Sequence, residues 1–179
     1  MKKIYYKSEL QKLSKEELIT TIKSIKDILI GSSIFSNNNS IISKVVQFFE
    51  NLIFRKKGFT PSHTGSIIEY NNDIYLFDMK PLKATVQLLS DYILNTKDNF
   101  VLVLKDFDID NRMFSLNISK HIGEFYPFIS AIRSIGSKKQ SKWRTHCSEL
   151  HLRELQLQGL FLDANPEITP LELLQLLSK

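Results

Sequence analysis

Three side chains of this sequence, a histidine, a carboxylate and a cysteine, are of the types that together perform nucleophilic chemistry. His63 and Asp78 lie in "FTPSHTGSIIEYNNDIYLFDM" (residues 59–79), one near each end, and Cys147 lies in "WRTHCSELHLREL" (residues 143–155). A thiolate attacks carbonyl carbon, an imidazole accepts the thiol proton, and a carboxylate orients the imidazole. The sequence therefore predicts a Cys-His-Asp site, if the fold brings these residues together.

The segment 59–79 has the pattern of a β-hairpin that would place His63 and Asp78 side by side. Asn71 and Asn72 tolerate positive φ, so they suit a two-residue turn between two apolar runs. In that register Gly65 faces Asp78, and alternation puts His63, Gly65 and Asp78 on one sheet face. The two site residues are then diagonal neighbours, about 7 to 8 Å apart at Cα. A three-residue turn would instead move Asp78 to the other face.

The surroundings of Cys147 favour a reactive thiol, although other histidines lie closer in sequence. Thr145 can cap a helix that begins near Cys147, where free backbone amides and the helix dipole stabilise a thiolate. His146 projects about 100° away around such a helix. His151 lies one turn further on the same face and remains an alternative base, although it points more readily into packing. A lone cysteine or a strand histidine also has a purely structural interpretation.

Basic residues precede both halves of this candidate site. "RKK" at 55–57 comes before His63, and "KKQSKWR" at 138–144 comes before Cys147. The simplest interpretation is a pair of solvated loops. The alternative is a basic rim at one cleft that attracts an anionic substrate or membrane headgroup, with contacts from Lys56, Lys57, Lys138 and Lys139.

The elements that must position the site follow from periodicity and capping. Helices are predicted from Ser14 to about Lys26, over 40–54, 81–94, 119–132 and 146–158, and after Thr169. A strand and a turn are predicted in "DILIGSSIF", and further strands are predicted in the hairpin and in "NFVLVLKDF". This order indicates an α+β fold with a central antiparallel sheet and helices packed on it, with the cysteine at a helix N-terminus.

Composition limits the remaining function classes. The chain has 179 residues, 42% of them hydrophobic, and a single cysteine, so neither an internal disulfide framework nor a multi-cysteine zinc site can form. No metal or cofactor is expected. The N-terminus lacks an apolar signal-peptide core and no run is apolar enough to cross a bilayer, so we expect a cytoplasmic or virion- or phage-associated protein without a transmembrane segment. The formal charge of +5 alone does not argue for nucleic acid, and no nucleic-acid partner is expected.

The order of these motifs resembles the circularly permuted branch of the NlpC-type papain-like cysteine hydrolases. It is most similar to the YiiX-like group, with lecithin:retinol acyltransferase as a more distant relative. The resemblance is carried by "DILIGSSIF", "SIISKVVQFF", "SHTGSII", "YLFDMKP", "EFYPF", "CSELHLREL" and "ITPLELL". It covers about residues 25 to 177, with residues 1–25 as an N-terminal helical extension that could bind a protein partner and 26–179 as the permuted papain-like domain.

The resemblance implies a fold, a reaction and a set of site residues. It implies a permuted papain-like fold, Cys147 as nucleophile, His63 as base, Asp78 as the third residue, and Tyr126 of "EFYPF" as a substrate contact. Two departures stand out: Lys26-Asp27 replaces the family's usual Gly-Asp pair, and Asp78 replaces the more common glutamate.

Three functions from different classes follow. The first is a thiol hydrolase or acyltransferase that acts on an amide, ester or thioester of an anionic acyl substrate, such as a phospholipid or a peptidoglycan peptide. The second is a catalytically inactive papain-like protein with an interaction or structural role. The third, a nucleic-acid-binding module, rests only on the basic segments and would require salt-dependent binding to a duplex.

Overall fold

The computed structural model describes residues 4–37, 59–79, 83–124 and 147–179. Within these ranges the strands are β1 (Ile4–Tyr6), β2 (Ser33–Asn37), β3 (His63–Tyr70), β4 (Asp73–Met79), β5 (Ala84–Leu88) and β6 (Asn99–Val103). The helices there are α1 (Lys7–Leu10), α2 (Lys15–Ser24), α3 (Lys26–Leu29), α4 (Leu89–Asn95), α5 (Asn111–Ser119), α6 (Cys147–Leu157) and α7 (Pro170–Leu177).

The six strands form one antiparallel sheet in the order β1-β6-β2-β3-β4-β5. Every neighbouring pair in that order is antiparallel. The predicted α+β class with an antiparallel sheet is therefore confirmed. The strands β3 and β2, which lie near the middle, carry buried side chains on both faces because helices cover the two sides.

The hairpin of β3 and β4 has the predicted register. Asn71 and Asn72 adopt positive φ angles of 49° and 64°, and Tyr70 pairs with Asp73 across them. These angles are those of a type I′ turn, whose twist matches that of the flanking strands. The two-residue turn keeps Gly65 opposite Asp78, so the alternative three-residue turn is excluded.

Two predicted helix starts are also confirmed. Ser14 caps α2, where its Oγ accepts a hydrogen bond from the Glu17 amide at 3.2 Å and the Glu17 carboxylate accepts one from the Ser14 amide at 2.8 Å. Thr169 and Glu172 make the same reciprocal pair of bonds at the start of α7. Such capping boxes satisfy backbone donors that the first helical turn leaves free.

Four other secondary-structure predictions need correction or lie outside the described residues. The strand predicted in "DILIGSSIF" begins only at Ser33, because Lys26–Leu29 forms the helix α3. Residues 81–94 were predicted as one helix, but Ala84–Leu88 forms β5 and only Leu89–Asn95 is helical. The helix predicted over 119–132 does not begin at Ser119, where α5 ends, because residues 120–123 form turns. The rest of that predicted helix, from residue 125 on, lies outside the described residues. The helix predicted over 40–54 lies outside the described residues.

The N-terminal part of the chain is connected to the sheet. It was predicted to be helical, and α1 and α2 are present, but Ile4–Tyr6 also pairs with β6 as an edge strand. In the described ranges, none of the helices has both the length and the apolarity needed to cross a bilayer.

The helices pack on both faces of the sheet. On one face, Tyr92 of α4 contacts the Phe100 ring of β6, with ring centroids 5.5 Å apart. Phe100 pairs with Ser36, which pairs with His63, so this is the face to which the His63 side chain belongs. On the opposite face, His151 of α6 bonds to Ser66 of β3. The candidate site is therefore assembled from elements on both sides of the sheet.

Candidate active site

The hairpin brings His63 and Asp78 into direct contact. Nε2 of His63 is hydrogen-bonded to Oδ1 of Asp78 across the strand pair. Asp78 is 9% exposed at its side chain, whereas His63 is 26% exposed. The carboxylate of Asp78 is therefore nearly buried, whereas part of the His63 ring remains exposed to solvent. Asp78 reaches His63 although it is shorter than the glutamate common in the family that the motifs resemble.

Gly65 permits close packing beside this pair. A Cβ atom at Gly65 would lie 2.6 Å from Cδ1 of Leu76 and 3.2 Å from the carbonyl oxygen of Phe77. The side chain of Leu76, which is buried, therefore occupies the space above the glycine. Glycine at this position leaves room for Leu76 to pack over β3 on the sheet face that His63 and Asp78 share.

Cys147 meets the imidazole from α6. The cysteine is 8% exposed, and its thiol is hydrogen-bonded to the His63 side chain. Since Asp78 occupies Nε2, the ring nitrogen that remains for the thiol is Nδ1. His63 is the first residue of β3, so its ring lies at the strand end, within reach of a helix packed on the other face.

The local charges favour a thiolate and an imidazolium. Burial opposes the charged form of His63, but Asp78 and Cys147 raise the pKa of this imidazole well above its usual value. Burial also opposes the Cys147 thiolate, but the charge and hydrogen bond of His63 lower the pKa of the thiol. Backbone hydrogen bonds with Thr64 and Ser148 lower it further. The arrangement can therefore hold an ion pair, which is the nucleophilic form of a cysteine.

The first turn of α6 is fixed by a further hydrogen bond. Oγ of Ser148, which is fully buried, donates to the Ile168 carbonyl oxygen at 2.5 Å. This bond ties the residue after Cys147 to the segment that leads into α7. This bond could not be predicted from the sequence, because it joins residues from separate elements.

A tyrosine and a serine lie on the same sheet face as His63, and neither was predicted from the sequence. Tyr92 of α4 is hydrogen-bonded to Ser36 of β2, and Ser36 pairs with His63 of β3. Burial raises the pKa of Tyr92, so its phenol stays protonated and able to donate. The negative charge of Asp78 also acts on the Tyr92 phenol and raises its pKa. The only sequence signal was an aromatic residue on a helical apolar stripe, which is typical of any core position.

His151, the alternative base, is bound to other partners. Its Nδ1 lies 2.8 Å from Oγ of Ser66, and its Nε2 lies 3.0 Å from Oγ of Ser33. Burial lowers the pKa of His151 to about 3, so its ring is neutral near pH 7. With both nitrogens engaged, His151 does not act as the base for Cys147. The other alternative, His146, lies outside the described residues.

The predicted substrate contacts lie outside the described residues as well. These are Lys56, Lys57, Lys138, Lys139 and Tyr126. Within the part of the chain that is described, histidine, cysteine, aspartate and glutamate do not form a group of three or more suited to a metal ion.

No family model and no curated protein matches this chain. The resemblance to permuted NlpC-type hydrolases therefore stays a prediction that rests on the sequence motifs.

Proposed function

We propose that this protein is a thiol hydrolase or acyltransferase that cleaves an amide, ester or thioester bond through Cys147, His63 and Asp78. The observation that carries the proposal is that the imidazole of His63 binds both Asp78 and Cys147. A buried carboxylate binds one ring nitrogen of His63, and the chain's single cysteine binds the side chain from another element. This is the order of contacts that a cysteine nucleophile, its base and the orienting acid require.

The reaction proceeds through an acyl-enzyme. Sγ of Cys147 attacks the carbonyl carbon of the substrate while His63 holds the proton from the thiol. The tetrahedral intermediate collapses when His63 gives that proton to the leaving amine, alcohol or thiol, which leaves a thioester on Cys147. His63 then takes a proton from water or from an acceptor amine or alcohol, whose attack releases the acyl group. Water gives a hydrolase, and an acceptor gives a transferase.

Backbone amides near Cys147 stabilise the negative charge that develops on the carbonyl oxygen of the substrate. We propose that Cys147 lies at the N-terminus of its helix, where amides such as that of Ser148 point toward the oxyanion. Asp78 holds the ring of His63 in the tautomer that leaves Nδ1 free for the thiol and stabilises the imidazolium. A permuted papain-like fold is the arrangement that we propose for the whole chain. The order of the histidine strand, the carboxylate strand and the later cysteine helix supports it.

The substrate class that we propose is an anionic acyl compound, such as a phospholipid or a peptidoglycan peptide. The basic segments that precede His63 and Cys147 in sequence support this choice. Positive charge near a cleft raises the local concentration of anionic substrates, and salt screens this effect.

The proposal is tested by trapping the acyl-enzyme. The protein is incubated with a panel of activated acyl esters, quenched in acid and weighed by intact mass spectrometry. Because Cys147 is the only cysteine, a thioester adduct that hydroxylamine removes must lie on it. We expect the adduct in the wild type, its absence in Cys147→Ala and its slow formation in His63→Ala. If no ester acylates the folded wild type, the inactive interaction protein becomes the better interpretation.

A further inference from the structure

A polar bridge links α6 to the centre of the sheet. His151, with 0% of its surface exposed, spans Ser33 on β2 and Ser66 on β3. Ser33 and Ser66 are paired across the two strands, and both serines are buried. The Phe114 ring of α5 meets the imidazole edge to face, with centroids 5.4 Å apart.

The bridge joins the same two elements that carry the nucleophile and the base. His151 lies four residues after Cys147 on α6, so both side chains are on one face of the helix. Ser66 lies three residues after His63 on β3. The helix and the strand are thus connected at two neighbouring levels, through the Cys147 and His63 contact and through the His151 and Ser66 contact.

A neutral imidazole is suited to this task because its two bonds have fixed directions. One ring nitrogen carries a proton and donates, the other accepts, and serine hydroxyls can serve both roles. Apolar packing has no preferred direction, whereas two directional hydrogen bonds to paired strands define both the position and the rotation of the helix. Reactive groups must be held within about 0.5 Å of the productive geometry, and surrounding bonds of this kind hold them there.

We propose that His151 is a positioning residue that sets the thiol of Cys147 against His63 through its bonds to Ser33 and Ser66. This inference rests on the proposed function of the Cys147 site. His151 does not touch the thiol or transfer a proton. Its effect on the reaction comes from the placement of α6 on the sheet.

The test compares the thiol titration of Cys147 in matched variants. The variant Ser33→Ala/Ser66→Ala removes both partners and leaves α6 unchanged, whereas His151→Leu removes the ring. His151→Gln keeps a polar group that can bond one serine. Leu155→Ala is the control, since Leu155 is a fully buried residue of the same helix whose truncation costs stability without breaking the bridge. For each folded protein, the rate of iodoacetamide alkylation is measured from pH 4.5 to 9.5, and the melting temperature is recorded.

We expect the serine variant and His151→Leu to alkylate about 10- to 100-fold more slowly than the wild type at pH 6, the loss typical of a displacement near 1 Å. The midpoint of their pH profile moves toward about 8.5, the value of a free thiol. His151→Gln recovers part of the rate. Leu155→Ala lowers the melting temperature and keeps the wild-type midpoint.

Two outcomes would overturn the inference. One is an unchanged midpoint in both the serine variant and His151→Leu, and the other is an equal shift in Leu155→Ala. Either leaves the proposed function standing, provided that the wild type keeps a low midpoint that depends on His63. A wild-type midpoint near that of a free thiol would instead count against the proposed function itself.

Discussion

Acid should lower the free energy of unfolding of this protein through His151, because burial keeps this imidazole neutral in the folded state. The folded state holds the ring neutral with a pKa of about 3, whereas a histidine in the unfolded chain has a pKa of about 6.5. Below pH 6.5 the unfolded state therefore binds a proton that the folded state does not. The free energy of unfolding therefore decreases as the pH is lowered through this range, by at most about 1.4 kcal/mol per pH unit.

The magnitude is best measured between pH 7 and pH 4.5. Over that interval the difference in proton binding at His151 removes about 2.5 kcal/mol of the free energy of unfolding. Because pH 4.5 lies well above the folded pKa, His151 stays unprotonated in the folded state over the whole interval. His151→Gln lacks the titrating group, so its free energy of unfolding should fall less over the same interval by about that amount.

The assay is urea unfolding of wild type and His151→Gln, followed by far-UV circular dichroism at both pH values. Other titrating groups, including His63 with its raised pKa, are common to both proteins and cancel in the comparison. With a slope of about 2 to 3 kcal/mol/M, the midpoint difference between the proteins should change by about 1 M. A midpoint difference that is the same at both pH values would refute the buried, neutral state of His151 and the bridge inferred from it.

Three further predictions concern the site and its substrate. Asp78→Asn should keep the fold and slow iodoacetamide alkylation of Cys147 about tenfold or more at pH 6, because an amide does not stabilise the imidazolium; an unchanged rate beside a strong loss in His63→Ala would leave only a Cys-His dyad. Gly65→Ala should cost about 1 to 3 kcal/mol in urea unfolding, since its methyl group overlaps Leu76, and a neutral result would contradict the close packing there. Anionic acyl probes should react faster than neutral probes of equal chain length at low salt. Replacing Lys56, Lys57, Lys138 and Lys139 with Gln should remove that preference. Equal rates for both probes in the wild type would support the simpler interpretation, in which these lysines belong to solvated loops.

The sequence predicted the parts of the fold that depend on local chemistry. The Asn71-Asn72 turn fixes its own strand register, and strand alternation then places His63 and Asp78 on one face. The capping boxes at Ser14 and Thr169 are equally local. For these elements the residues that determine the structure are adjacent in the chain.

Long-range pairing determined the parts that the sequence did not predict. Residues 84–88 have apolar spacing that suits a helix, but pairing with β4 makes them a strand. The edge strand β1 has three residues, too few to display a period. The bridge from His151 to Ser33 and Ser66 joins three elements, and two serines on apolar strands carry no signal of a common partner.

The ionisation state of Cys147 tests the central claim most directly. The single cysteine makes the thiolate absorbance near 240 nm a specific readout, once each spectrum is corrected with that of Cys147→Ala at the same pH. If Cys147 and His63 form an ion pair, the thiolate signal persists well below the free-thiol pKa of about 8.5, and His63→Ala moves the titration back toward that value. A thiol that titrates near 8.5 in the folded wild type, with no change in His63→Ala, would contradict the proposed cysteine nucleophile.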